Sequence, residues 1–231
     1  MPTKYHEVIV NEYTRRLGFL CRVINFLEDV LEDSECTSVL VDSRRLAEGV
    51  VVVDAVECSG DVRESTGVFR EKHGVRVELG PGDLSLWELY DRVVDYYSRT
   101  LRKFMKNLVA KTIETGVEYY LGVLFDGRGF VVEGYVERVA VPGIPQCFSA
   151  HTHPADTPWP SPRDLRAISR LLLDRGVCHV IEARNAGLAI YRRGPLTIED
   201  YEALKLLEKT SGASGFPSEL LSRTSIRARY I

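Results

Sequence analysis

Apolar residues near the N-terminus of the chain recur with the period of an amphipathic helix. They are spaced alternately by four and three residues, and they are Tyr13, Leu17, Leu20, Ile24, Leu27 and Leu31. This spacing places the side chains in one stripe, so it predicts a helix that packs through that face. A heptad-like stripe of this kind can also seat a second copy of the chain, which leaves a homodimer through this helix open.

The pattern then changes to short β-rich pieces separated by polar residues and glycine. These pieces cover residues 38–41, 50–58 and 75–79, and they predict a small sheet. Residues 50–53 are all valine, without alternation. Such a run indicates either a strand buried on both faces or an edge strand. Residues 1–83 are therefore expected to form a small α+β domain, whose role the sequence does not reveal.

A second amphipathic helix is predicted over residues 84–115, opened by the capping box from Ser85 to Glu88. Its apolar positions are Tyr90, Val93, Tyr97, Leu101, Phe104 and Leu108. Its other face is basic and carries Arg99, Arg102, Lys103, Lys106 and Lys111. A solvated surface is the ordinary role of such a face; contact with an acidic partner or a phosphate backbone is the alternative. This helix also offers a second place for a homodimer contact.

The rest of the chain alternates strands and helices. Residues 118–126 and 130–140 predict a β-hairpin around Gly127-Arg-Gly129. Further strands are expected at residues 148–153, 177–183 and 188–191, with helices beginning at Ser161 and Thr197. This order predicts an α/β sandwich over residues 116–212. Residues 213–231 are left as a tail, either an edge strand or an interaction arm.

The stretch from His151 to Asp164 carries the candidate chemistry. If a strand ends near His153, then His151 and His153 project from the same face, and both rings can reach one cation. Ser161 as N-cap and Pro162 at the first helical position predict a helix start that brings Asp164 to them. Three protein ligands leave a fourth tetrahedral position open, as in catalytic zinc sites. The alternative is an ordinary capping box beside two polar strand histidines.

The spacing His-x-His-x7-Ser-x-x-Asp resembles the signature of the JAMM (MPN+, JAB-domain) zinc metalloproteases. The His-Thr-His-Pro form and the Pro-Ser pair before Asp164 are also similar to the RadC-like branch of that superfamily. The resemblance covers about residues 108–212. It implies a JAB/MPN-type (cytidine-deaminase-like) α-β sandwich and a Zn²⁺ ion held by His151, His153 and Asp164. It further implies a hydrolase that cleaves peptide or isopeptide bonds, with Ser161 steadying the oxyanion.

The resemblance also requires an upstream glutamate as general base, and Glu118 is the candidate. The peptidase branch commonly has Glu-x-x-Gly, whereas Gly122 lies four residues after Glu118. The interval from Glu118 to Asp126 is instead similar to the RadC-like branch. Glu133 and Glu137 remain alternatives, although a mid-strand glutamate more often faces solvent.

A protein substrate is implied by the resemblance, such as the C-terminal tail of a ubiquitin-like or sulfur-carrier protein. The short intervals within the motif region exclude the large inserted loops that grip modifiers in the deubiquitinating branch. An extended tail is expected to pair with a strand at residues 135–141 by β-augmentation. Two other functions stay open: a non-catalytic MPN-fold interaction module and a RadC-like, nucleic-acid-associated protein.

The composition of the chain limits which binding partners and which cellular compartment are expected. The net charge of −3 and pI of about 6.0 argue against a nucleic-acid partner. Five cysteines without a Cys-x-x-Cys pair, no long apolar run and no signal-peptide pattern predict a cytoplasmic protein without a membrane segment. Four Asn and one Gln beside 30 Lys and Arg and 33 Asp and Glu are typical of thermophile proteins. His179, inside a predicted strand, is interpreted as a hydrogen-bonded core histidine.

Overall fold

The computed structural model describes residues 4–136, 143–210 and 218–231, and the chain forms two compact units. One unit comprises residues 22–92, and the other comprises the rest of the chain. Helices and strands alternate along the chain, which is therefore of the mixed α/β class. The predicted N-terminal domain, residues 1–83, is divided between the two units, because residues 1–21, whose strand pairs with residues 129–133, belong to the larger one.

The strands and helices of the described residues are named here in chain order. The strands are β1 (Lys4–Ile9), β2 (Cys36–Val41), β3 (Val51–Cys58), β4 (Val77–Leu79), β5 (Leu84–Ser85), β6 (Val117–Val123), β7 (Gly129–Val136), β8 (Phe148–Thr152), β9 (Cys178–Glu182), β10 (Gly187–Arg192) and β11 (Ile226–Tyr230). The α-helices are α1 (Glu12–Asp33), α2 (Ser43–Ala47), α3 (Val62–His73), α4 (Leu86–Thr100), α5 (Arg102–Thr115), α6 (Pro162–Leu173) and α7 (Ile198–Thr210). None of the helices in these described ranges combines the length and apolar character needed to cross a membrane.

The first predicted helix forms as α1. Leu17, Ile24 and Leu27, which belong to its predicted apolar stripe, are fully buried within the chain. These three side chains are therefore buried without a second copy of the chain.

The unit of residues 22–92, all of which the structure describes, contains a four-stranded sheet in the order β4-β3-β2-β5. β3 lies inside this sheet, antiparallel to β2 and parallel to β4. Residues 51–53 are buried, so the valine run is an interior strand and not an edge. The apolar pattern along the chain does not predict α3, because Phe69 is the one buried residue of this helix and its apolar periodicity is correspondingly weak.

Cys36 and Cys58 form a disulfide between β2 and β3. They are direct partners in the antiparallel ladder, with Cα atoms 3.9 Å apart, although they lie 22 positions apart in sequence. This pair departs from the expectation of reduced cysteines. Strand register, which cysteine spacing does not encode, brings the two side chains together. Cys21, Cys147 and Cys178 are buried and form no disulfide.

The larger unit contains, in its described residues, a seven-stranded sheet in the order β1-β7-β6-β8-β9-β10-β11. The predicted hairpin is the antiparallel pair β6 and β7, and β8 pairs with β9 in parallel. β11 pairs with β10 at one edge, so this part of the predicted tail is an edge strand. At the other edge β1 covers β7 as far as Glu133. Most of the predicted β-augmentation stretch, residues 137–141, lies outside the described residues.

Helices cover both faces of this sheet. Thr152 on β8 has its hydroxyl 2.6 Å from that of Thr112 on α5, whereas the neighbouring His151 faces Asp164 on α6. Successive residues of a strand point to opposite faces, so α5 and α6 lie on opposite sides of the sheet. An apolar core joins α6, α7 and β9 to β11, and it contains Leu165, Ile168, Leu172, Ile181, Leu188, Ile190, Leu204, Leu207, Leu221 and Ile226.

The predicted helix over residues 84–115 forms as α4 and α5, interrupted at Leu101. The Leu101 N–H still donates to the Tyr97 carbonyl, and its own carbonyl accepts from Met105 N–H, so the hydrogen-bond ladder continues. Two members of the basic face point inward: Arg102 Nε and Lys106 Nζ lie 3.0 and 3.1 Å from the buried Glu182 carboxylate. These two residues are therefore not part of a solvated basic surface.

Candidate metal centre

The three predicted ligands converge at the end of β8. One ligand atom from each of His151, His153 and Asp164 lies within 4.8 Å of the other two. Asp164 Oδ1 is 3.6 Å from His151 Nε2, and Asp164 Oδ2 is 3.5 Å from His153 Nε2. Two donors at ordinary zinc distances and a tetrahedral angle are about 3.4 Å apart. Each histidine nitrogen therefore lies at about the distance from the Asp164 carboxylate that two ligands of a tetrahedral cation require.

The end of β8 is held from both neighbouring strands. His153 N–H donates to the Glu182 carbonyl at 2.8 Å, which extends the pairing with β9. On the other side, Tyr119 N–H donates to Thr152 Oγ1 at 2.8 Å, which ties in β6. The backbone that carries His151 and His153 is therefore fixed before any ion binds.

Asp164 comes from the first turn of α6, as the capping pattern predicted. Ser161 is the N-cap and Pro162 the first helical residue. Ser161 Oγ accepts from Asp164 N–H at 3.2 Å, and both the hydroxyl and the N–H of Ser161 donate to Asp164 Oδ2, at 2.6 and 2.8 Å. The capping box thus holds the carboxylate beside the two imidazoles. The Ser161 hydroxyl already donates a hydrogen bond to Asp164. To stabilise an oxyanion, it would have to break this bond and donate to the oxyanion instead.

The surroundings of the ligands set their protonation. Burial lowers the pKa of His151 to about 4, against an opposing effect of the Asp164 carboxylate. For Asp164, burial opposes the charged form, but His151, His153 and the Ser161 hydrogen bonds outweigh it and hold the pKa well below its ordinary value. For His153, burial is outweighed by Asp164 and Glu118, which raise the pKa. A cation would therefore meet a neutral His151 and an ionised Asp164, and would compete with a proton at His153.

Two buried ring nitrogens have no hydrogen-bond partner in the described part of the chain: His151 Nε2 and His153 Nδ1. Buried polar atoms in proteins are normally satisfied. A cation bound at His151 Nε2 would satisfy the first of them, and a set of imidazoles with one carboxylate suits zinc. The residues present therefore fit a divalent cation.

A buried chain of hydrogen bonds lies behind His151. His151 Nδ1 is 2.8 Å from His179 Nε2, and His179 Nδ1 is 2.6 Å from Ser149 Oγ. His179 is 3% exposed, and burial holds its pKa well below the ordinary value, so the ring is neutral. With its proton on Nδ1, His179 accepts from His151 Nδ1–H, which leaves His151 Nε2 unprotonated and directed at Asp164.

The interpretation of His179 as a hydrogen-bonded core histidine is confirmed. Its contact with a candidate ligand was not predicted, and neither was the role of Ser149. Ser149 and His179 are partners in the parallel ladder of β8 and β9. No local spacing in the sequence encodes that register. The one available signal of this contact was the presence of a polar residue, Ser149 or His179, within each of two apolar strands.

Glu118 lies on the wall of the same cleft, where α5 passes directly into β6. Gly116 ends α5 in the left-handed region at φ 73°, a conformation that favours glycine, and the strand begins at the next residue. Glu118 is 6% exposed, and its charge contributes to the raised pKa of His153. The side chain is thus electrostatically close to His153.

The alternative glutamates are placed differently. Glu133 pairs across the hairpin with Tyr119, and after burial its charge is the second cause of the raised pKa of Tyr119. It does not line the cleft. Glu137 lies outside the described residues. Among the candidate glutamates that the structure describes, Glu118 is the one that lines the cleft.

The cleft that contains these residues encloses about 520 Å³. Its walls include the Tyr120 side chain and the first two turns of α6. The side chains of His153 and Asp164 keep 17% and 18% of their surface exposed, so solvent reaches these two ligands. A cleft of this size holds a small molecule or a short polypeptide segment.

In comparisons with known proteins, no protein-family model, no curated protein and no solved structure matches this chain.

Proposed function

We propose that this protein is a zinc-dependent peptidase or isopeptidase of the JAMM/MPN type, with a JAB/MPN-type sandwich as the fold of its larger unit. The convergence of His151, His153 and Asp164, with ligand atoms 3.5 and 3.6 Å apart, carries the proposal. The open cleft and the buried Glu118 on its wall support it further. Three protein ligands leave room for water and substrate, as a catalytic site requires.

Zinc, when bound, supplies Lewis-acid polarisation of the scissile carbonyl and of the attacking water. Glu118 accepts the proton of that water at a carboxylate oxygen and delivers it to the leaving amine. His151, His153 and Asp164 hold the ion, while His179 keeps the His151 ring in the tautomer that can bind it.

The proposed substrate is a flexible polypeptide segment, with the tail of a ubiquitin-like or sulfur-carrier protein as one candidate. A metal site that lies within a cleft favours an extended chain, because a folded surface cannot bring its backbone to the ion. Binding energy along such a segment positions the scissile bond.

Metal content and hydrolysis together test the proposal. Elemental analysis of the purified protein is expected to find one zinc per chain. His151→Ala and Asp164→Ala are expected to lose it, because removing one of three protein ligands weakens binding strongly. Glu118→Gln is expected to keep the zinc and lose hydrolysis, since an amide cannot take the proton. Glu133→Gln, on the same hairpin but outside the cleft, is the matched control and should retain both.

Hydrolysis is followed by mass spectrometry on ubiquitin-like conjugates from the host and on a mixture of unfolded polypeptides. Near-stoichiometric zinc in His151→Ala and Asp164→Ala would contradict the site. Cleavage by Glu118→Gln but not by Glu133→Gln would move the general base to Glu133. A zinc-replete wild type that cleaves neither substrate set would favour a non-catalytic module of the same fold.

A further inference from the structure

A second pocket adjoins the metal cleft along α6. It encloses about 470 Å³ and shares Tyr120 and Ala167 with the cleft. The two pockets therefore form one continuous depression, here called the α6 groove. Apolar side chains line its second half, among them Leu171 and the half-exposed Ile144 and Leu173.

α6 presents arginines along this groove. Arg163 and Arg166 line the metal cleft, and Arg170 lines the second pocket. Positions i, i+3 and i+7 of a helix share one face, so the three side chains form a single basic stripe. Arg166 pairs with Glu208 at 2.7 Å. Arg163 and Arg170 are exposed and have no ion-pair partner in the part of the chain that the structure describes.

The carboxylates of the groove do not neutralise these charges. Glu118 and Asp164 belong to the candidate metal centre, where a divalent ion would balance both of them. Asp174 lines the second pocket, but Arg175 lines it too. The described walls of the groove beyond the metal centre are therefore net positive, although the whole chain carries a net charge of −3.

We propose that the α6 groove selects polypeptide segments that carry acidic side chains beside the scissile bond. The inference rests on the proposed function and names its substrate class. Guanidinium groups bind carboxylates through paired hydrogen bonds, and Arg163 and Arg170 are free to make them. A polypeptide fits better than a nucleic acid, because apolar side chains accompany the arginines and the chain lacks an overall basic charge.

Helix geometry sets the spacing of the acidic side chains. Arg163 and Arg170 are seven residues apart on α6, which corresponds to about 10 Å along the helix axis. A peptide in the extended polyproline II conformation advances about 3.1 Å per residue with three residues per turn, so residues three positions apart share a face and lie about 9 Å apart. Two acidic residues three positions apart in such a segment therefore reach both arginines at once.

Peptide binding tests the proposal without requiring turnover. Zinc-loaded Glu118→Gln protein is titrated into a labelled decapeptide with two glutamates three positions apart, and fluorescence anisotropy reports binding. The same peptide with glutamines at both positions should bind more weakly, and about 0.5 M NaCl should remove most of the difference, because salt screens exposed charges. Adding Arg163→Gln and Arg170→Gln together should weaken binding of the acidic peptide about three- to tenfold, since each exposed ion pair contributes modestly.

Arg223→Gln is the matched control, because Arg223 is exposed and lies outside the α6 groove. Equal affinity for the acidic and neutral peptides, or an equal loss of affinity in Arg223→Gln, would overturn the inference. A single-stranded oligonucleotide that displaces the acidic peptide more effectively than the unlabelled peptide does would overturn it in favour of nucleic acid. Acidic preference together with a zinc-loaded wild type that hydrolyses no substrate would sink the peptidase proposal alone, whereas wild-type hydrolysis that is indifferent to acidic residues would sink this inference alone.

Discussion

The imidazole of His151 depends on two buried neighbours for its chemistry. His179 fixes Nδ1 of that ring from 2.8 Å, and Ser149 fixes His179 from 2.6 Å. A neutral histidine can carry its proton on either nitrogen, and only one of the two tautomers leaves Nε2 free to bind an ion. His179 is therefore a positioning residue for the candidate metal centre, although it contacts no ion.

His179→Ala is expected to lower zinc affinity about 10- to 100-fold, the usual cost of losing a partner behind a ligand histidine. Glutamine at the same position can accept from His151 Nδ1–H and donate to Ser149, so His179→Gln should recover much of the loss. Competition with a chromogenic chelator measures the affinity, and the absorption spectrum of the Co²⁺-substituted protein reports the ligand geometry.

His73→Ala is the control for this experiment, because His73 belongs to the unit of residues 22–92. Unchanged zinc affinity and an unchanged Co²⁺ spectrum in His179→Ala would show that the hydrogen-bond chain only fills the core.

At the scale of elements, Glu182 ties α5 to the sheet behind the metal centre. Its fully buried carboxylate accepts from the Tyr97 hydroxyl at 3.1 Å and from Arg102 Nε at 3.0 Å, with Lys106 Nζ at 3.1 Å. Burial, together with the Glu182 charge, raises the pKa of Tyr97 well above its ordinary value, so the hydroxyl remains a donor. The Glu182 carbonyl accepts from His153 N–H. One residue thus anchors a helix and holds the end of β8.

Glu182→Gln is expected to lower the free energy of unfolding by about 3 kcal/mol, because two basic groups lose their carboxylate partner. The Arg102 and Lys106 side chains are 25% and 31% exposed, so they regain part of their hydration, which places the loss at the low end for buried ion pairs. Urea unfolding measures the change. Arg99→Gln removes an exposed ion pair and should cost less than about 1 kcal/mol. Equal costs for the two variants would contradict the anchoring role.

At the scale of the whole molecule, each compact unit contains one of the two tryptophans. Trp87 belongs to residues 22–92, and Trp159 belongs to the larger unit. Replacing either tryptophan leaves a single tryptophan as the fluorescent reporter. The unfolding of each unit can therefore be followed by itself.

Reduction of the disulfide between Cys36 and Cys58 is expected to destabilise the unit of residues 22–92. For a loop of 22 residues the loss is up to about 3 kcal/mol, because the reduced unfolded chain regains conformational freedom. The unfolding midpoint of a Trp159→Phe variant, which reports through Trp87, should fall when a reductant is added. A Cys36→Ser/Cys58→Ser variant should show the lower midpoint without reductant and no further change with it. An unfolding midpoint of the Trp159→Phe variant that stays the same when the reductant is added would contradict the disulfide.

The sequence by itself determined the local elements and the candidate ligands. Helical periodicity predicted α1, the glycine turn predicted the hairpin of β6 and β7, and the cap at Ser161 predicted the start of α6. These features depend on contacts within a few residues, which composition and spacing encode directly. The spacing of His151, His153 and Asp164 is of the same kind, because all three lie within one strand end and the helix start that follows it.

Only the tertiary structure decided which distant residues support that site. His179 contacts His151 because β9 lies parallel to β8 in this register. Cys36 meets Cys58 because the register of β2 and β3 makes them direct partners. The buried Glu182 binds Arg102 and Lys106, which had been predicted to lie on a solvated face. α3 was not predicted, because its packing depends on the surrounding unit and not on a periodic pattern of apolar residues along the helix. Register and burial arise when separate elements pack, and a shift of one residue along a strand reverses every side chain, so the spacing along the chain cannot specify them.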